Sequence, residues 1–156
     1  MIKISFRIGS AHWLTDDQLK NLLDFLKEYR EIVDELLFFT GSTHAPLPLE
    51  VIEQRVDRLA EVLPLVRAHG MGAGVNVLAT IGHHEENLEN SLSEKYQNVV
   101  DAYGRECLGT FCPGDPAYLE EYVRKLYTMV ARIRPDVIWV DDDVRLMGHK
   151  PLGAVC

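Results

Sequence analysis

Residues 137–143 read Val137-Ile138-Trp139-Val140-Asp141-Asp142-Asp143, a short apolar run that ends abruptly in three carboxylates. Four apolar residues followed by a polar cluster is the pattern of a buried strand running into a functional loop. The residue before the run is Asp136, and Pro135 closes the segment upstream. That upstream segment begins at Asp115-Pro116, a helix start with Asp115 as N-cap and Pro116 at the first helical position. Leu119, Tyr122, Val123, Leu126, Met129, Val130 and Ile133 recur at helical spacing between the two signals. A helix therefore feeds the strand.

The same unit recurs toward the N-terminus. Lys3 to Gly9 alternates, with Ile4, Phe6 and Ile8 on one face and Ser5 and Arg7 on the other. Thr15 caps a helix expected to end near Val33. Glu35 to Thr40 is a second buried strand. A helix from Leu49 carries Ile52, Val56, Leu59, Leu63 and Val66, with a bend expected at Pro64 and a stop at His69-Gly70. Gly74 to Thr80 is the third strand. An excursion follows from Ile81 to Asp115, where Leu88, Leu92, Tyr96, Val99 and Val100 predict a short helix ending near Gly104, and Arg105 to Phe111 a small hairpin around Gly109.

Alternating strands and helices predict a parallel sheet with right-handed crossovers. The turn after the first strand, Gly9-Ser10-Ala11-His12-Trp13, lacks the GxGxxG of a dinucleotide fold, and no P-loop occurs, so no cofactor is expected. Polar residues end every strand, and the longest loop lies on the same face, as in a (β/α)8 (TIM) barrel. The expected fold is α/β, the N-terminal half of such a barrel, with about four parallel strands in one domain over 1–156. Such a barrel takes about 250 residues, so the chain reads as part of a longer protein cut after the fourth strand. Its open edges would meet the remaining half of the barrel or, alternatively, a second copy.

The net charge of −8 argues against nucleic acid as a partner, because phosphate binding needs clustered Lys and Arg. No apolar run is long enough to span a membrane, and the N-terminus is no signal peptide, so a cytoplasmic protein is expected. Three cysteines with no dense framework fit a reducing compartment; Cys107 and Cys112 are close enough in sequence to meet across a hairpin.

Asp141, Asp142 and Asp143 are the candidate reacting groups, since adjacent carboxylates repel unless cations, a metal or protons relieve them. Strand alternation puts Asp141 and Asp143 on one face. Arg7 points into the expected barrel and needs an anion there. His12 and Trp13, His44, His83 and His84, Asn76 and Thr80, Trp139, Arg145 and His149 complete a candidate substrate rim. Planar polar groups beside aromatic faces suit a carbohydrate, whose hydroxyls pair and whose apolar faces stack. His83 and Glu85 also leave open a metal-dependent barrel enzyme such as a sugar isomerase or hydrolase. A non-catalytic carbohydrate-binding half-barrel is the third alternative.

Three segments carry a family resemblance: Ala79-Thr80-Ile81-Gly82-His83-His84-Glu85-Glu86-Asn87, Gly109-Thr110-Phe111-Cys112-Pro113-Gly114-Asp115, and Val137 through His149. Together they resemble bacterial glycoside hydrolases with a TIM-barrel catalytic domain, along the whole chain. The resemblance implies a two-carboxylate mechanism, with one catalytic carboxylate at the end of the fourth strand, within Asp141 to Asp143 here. It implies a second on a later strand. Many such enzymes carry Glu at the fourth strand, where this chain has Asp, which leaves nucleophile, acid/base and hydroxyl acceptor open as roles.

Overall fold

The computed structural model describes residues 2–41, 46–82, 95–141 and 154–155. In chain order the elements are β1 (Ser5–Ile8), α1 (Asp16–Tyr29), β2 (Glu35–Phe39), α2 (Leu49–Ala68), β3 (Gly72–Val77), β4 (Asn98–Asp101) and β5 (Glu106–Phe111). Then follow α3 (Pro116–Tyr118), a π-helical turn (Leu119–Val123), α4 (Arg124–Arg132), β6 (Ile138–Val140) and β7 (Ala154–Val155). Strands β1, β2, β3 and β6 form one parallel sheet in that order. Strand β4 lies between β5 and β7 in a separate antiparallel sheet.

Local signals set the helix starts. The Thr15 hydroxyl accepts from the Gln18 N–H, and the Gln18 side chain accepts from the Thr15 N–H, so two otherwise orphaned donors are satisfied. Asp115 accepts from the Ala117 N–H with Pro116 beside it, as the sequence predicts. Helix α1 stops at Tyr29, earlier than the expected Val33. Helix α2 runs unbroken through Pro64.

The sheet is apolar on both sides at its centre. Leu36 and Phe38 of β2 and Ala73, Val75 and Val77 of β3 face the helices in the main core with Val56, Leu59, Leu63, Tyr118, Tyr122 and Leu126. Leu37 points the other way yet is also buried. The reason is Gly74. A Cβ there would lie 2.5 Å from Val137 Cγ1, 2.6 Å from Leu37 Cδ2 and 2.8 Å from the Val137 carbonyl oxygen. The bare glycine lets Leu37 and Val137 close over β3. Gly74→Ala is expected to destabilise the protein by about 1–3 kcal/mol through overpacking against backbone, read as a lower urea midpoint with an unchanged slope. An unaltered midpoint would sink this account.

The excursion after β3 departs from the expected pattern. Residues 98–101, expected at the end of a short helix, form β4, and the expected hairpin around Gly109 is instead a single strand, β5, paired with β4. The turn between them is built by Asp101. Its buried carboxylate accepts from the Tyr103 and Arg105 N–H groups at 2.8 and 2.9 Å and from Arg105 Nε at 2.6 Å. Gly104, at φ +79°, supplies the left-handed residue. A local carboxylate partner thus outweighs the helical spacing of Tyr96, Val99 and Val100. Cys107 is a free buried thiol and does not bond Cys112.

Three carboxylates hold junctions and sit below their ordinary value. Asp136 is lowered by Arg67 and by the Ala73 N–H. Asp115 is lowered chiefly by the Gln97 N–H. Burial opposes ionisation of Asp101, but the Arg105 and Tyr103 bonds outweigh it. Each group binds fewer protons folded than unfolded just below the ordinary value of 3.8. Their stabilisation is complete above that value and is lost as pH falls through the lower folded values. Urea midpoints should therefore drop as pH falls below the ordinary value of 3.8, and drop less in Asp136→Asn. Equal acid sensitivity in that variant would contradict the assignment.

Candidate active site

The two side-chain faces of the parallel sheet are fixed by register. Ile8, Phe38, Val75 and Ile138 align across the sheet, so their odd-phase neighbours share the opposite face. Arg7 of β1, Phe39 of β2, Asn76 of β3, and Trp139 and Asp141 of the β6 strand end all belong to it. Phe39, Asn76 and Trp139 stand side by side in one row.

Three polar groups close on one another there. Arg7 Nε donates to Asn76 Oδ1 at 2.9 Å, Asn76 Nδ2 donates to Asp141 Oδ2 at 3.3 Å, and Arg7 Nη2 donates to the same Asp141 oxygen. Asn76 is wholly buried, so its amide is set by these partners. The Asp141 N–H donates to the Val77 carbonyl at 3.2 Å, which pins the strand end beside β3. The Arg7 guanidinium lies 4.8 Å from the centre of the Phe39 ring, a cation–π contact.

This network reports the shape of the sheet. Two strands separate β1 from β6, which is about 14 Å at the usual inter-strand spacing. Side chains stand roughly perpendicular to a sheet, so a flat sheet would keep Arg7 and Asp141 apart. Their contact requires the sheet to curl with this face concave.

A depression of about 360 Å³ opens at the C-terminal ends of β1 and β2, lined by Ser10, Ala11, His12, Phe39, Gly41 and Leu78. Phe39 is shared between it and Arg7, so the pocket adjoins the polar network. Trp139 is 47% exposed on the concave face, two residues before Asp141. Asp141 therefore has an ion-paired oxygen and an aromatic side chain, Trp139, on the same strand face, and its partner Arg7 packs on the Phe39 ring that lines the pocket. Asp141 Oδ2 accepts from both a guanidinium and an amide, so the carboxylate is held in one orientation at the strand end.

Two expected rim residues lie elsewhere. Trp13 is completely buried against the helices, edge-on to Phe38 with ring centroids 6.1 Å apart. The 3-10 turn at Ser10–His12 rotates it inward and leaves His12 outside. Thr80 is past the end of β3 and turns toward the helical layer, where its hydroxyl meets the Tyr127 hydroxyl at 2.9 Å. Its carbonyl accepts from the Tyr118 hydroxyl. Both side chains pack toward the helical layer. His44, His83, His84, Asp142, Asp143, Arg145 and His149 lie outside the described residues, as does Glu85. Among the described residues no three potential metal ligands converge, and no helix is long and apolar enough to cross a membrane.

No sequence motif marks Phe39. Its only signal is phase: it follows Leu37 by two, so it shares the sheet face of Arg7. Compared with family models, with curated proteins and with solved structures, the chain matches none.

Proposed function

We propose that the chain contributes four strands of a (β/α)8 barrel that hydrolyses glycosidic bonds, with Asp141 as its nucleophile or charge-stabilising carboxylate. One observation carries this reading: Asp141, at the C-terminal end of its strand, is held by Arg7 and Asn76 from two other strands on the concave face. Barrel enzymes assemble their sites at that end from several strands. An oxocarbenium-like transition state needs an oriented anion beneath the reacting carbon, and Arg7 and Asn76 orient one. Trp139 offers a stacking face for a sugar ring. His12 borders the pocket where hydroxyls would lie. The resemblance of the Val137–His149 segment to glycoside hydrolases points the same way.

The test is turnover of a panel of aryl glycosides by the wild-type protein and by Asp141→Asn. Turnover that depends on Asp141 supports the reading. Sugar binding without turnover favours the non-catalytic carbohydrate-binding alternative. Turnover abolished by chelator but retained in Asp141→Asn favours a metal-dependent enzyme.

A further inference from the structure

Both edges of the curled sheet carry exposed apolar side chains. On β1 and the residue before it these are Ile4 and Phe6, 43% and 44% exposed; on β6 they are Ile138 and Val140, 38% and 45% exposed. All four lie on the helix-facing side. We propose that the two edges pair with the opposite edges of a second copy of this chain, closing an eight-stranded barrel in which Arg7 of each copy lies beside Asp141 of the other. This rests on the half-barrel reading above.

The geometry supports it at three levels. The first is direction. A two-fold axis parallel to the strands keeps all eight parallel and makes the two new seams identical, as a closed dimer requires. The second is register. An eight-stranded barrel has a shear of about eight residues, and two-fold symmetry divides it into about four per half-turn. The row Ile8, Phe38, Val75 and Ile138 must then continue four residues along β1 of the second copy. Four residues after Ile8 is His12, which is in a 3-10 turn; four residues before is Ile4, which already accepts strand-type bonds from Asp34 and Glu35. Ile138 therefore faces Ile4, Val140 faces Phe6, and Asp141 faces Arg7 across each seam. The four exposed apolar side chains cover one another, and the inner pair has opposite charge.

The third level is hydrogen-bond phase. Along a strand, successive residues direct their N–H and C=O to alternate sides. Ile4 uses its carbonyl toward β2, so Ser5 and Arg7 direct theirs to the open edge. The Val137 carbonyl and the Asp141 N–H point to β3, so Ile138 and Val140 direct theirs outward. In a parallel ladder, an outward-bonding residue sits opposite one that bonds away and links to that residue's two neighbours. Ile138 opposite Ile4 and Val140 opposite Phe6 satisfy this rule, whereas a shift by one residue would break it. The second copy also brings its own Asp141 to the shared concave face, which gives the site a second carboxylate of the kind hydrolysis needs.

The test is the solution mass of the 156-residue chain by sedimentation equilibrium. The expected mass is twice 17.7 kDa. Ile138→Lys and Ile4→Glu each place a charge in both seams and should each give monomers. Their equimolar mixture should regain the dimer, with one native Ile138–Ile4 seam and one Lys–Glu seam. Circular dichroism checks that both variants are folded, and Val140→Lys with Phe6→Glu supplies an independent pair should either fail. A wild-type monomer at protein concentrations on the order of 100 µM, or a mixture that stays monomeric, overturns the proposal. The glycosidase assay separates the two readings: a dimer inert on every sugar sinks only the activity, and an active monomer sinks only the pairing.

Discussion

Asp141→Asn is expected to lower aryl-glycoside turnover by on the order of a thousandfold while leaving the protein folded. The substitution keeps the shape of the side chain and an oxygen to accept from Arg7, but removes the negative charge. A nucleophile is lost outright, and a charge stabiliser loses its charge, so either role gives a large fall in kcat. Stability should fall only modestly. The Asp141 side chain is 13% exposed but that of Arg7 is 41% exposed, so the guanidinium keeps access to water when the charge opposite it is removed, and the loss should be about 1–2 kcal/mol. The measurement pairs steady-state kinetics with thermal unfolding of the same preparation. Activity within threefold of wild type would remove Asp141 from the reaction. Lost activity with a collapsed melting temperature would place it in the scaffold instead.

Trp13→Ala should have the largest effect on stability, a loss of about 3–5 kcal/mol. The indole fills the core beneath the first turn, between Phe38 and the helices, with none of its surface exposed. Its N–H has no hydrogen-bond partner among the described residues. Trp13→Phe should accordingly cost far less, since it surrenders volume but no hydrogen bond. Urea unfolding of the two variants measures the contrast. If Trp13→Ala instead weakened sugar binding with stability intact, the residue would belong to the rim after all.

Trp13 also shows where sequence reasoning stops. His12 and Trp13 are adjacent, and nothing in their order says which one faces solvent. A single 3-10 turn decides it, through bonds from His12 to Gly9 and from Trp13 to Ser10. Thr80 turns toward the helices for a related reason. It lies three residues past the observed end of β3, where strand alternation no longer governs direction, and a tyrosine from a distant helix takes its hydroxyl. The Asn98–Asp101 segment misled because helical and strand spacing coincide over a few apolar residues. Its strand state depends on pairing with Glu106–Phe111.

By contrast, Arg7 was legible. Clean alternation in Ile4-Ser5-Phe6-Arg7-Ile8 allows only one face for the apolar set, so the arginine takes the other face and needs an anion there. The capped helix starts at Thr15 and Asp115 were legible too, because a cap is satisfied within four residues. The sequence alone thus determined the parallel α/β order, the helix starts, and the presence of a cation and a carboxylate at strand ends. These rest on short-range periodicity and local hydrogen bonds. Only the tertiary structure decided that the sheet curls enough for Arg7 to reach Asp141, that buried Asn76 bridges them, and that Gly74 is the hollow into which Leu37 and Val137 close. Those features depend on contacts between strands dozens of residues apart, and curvature is a property of the packed sheet that no single segment encodes.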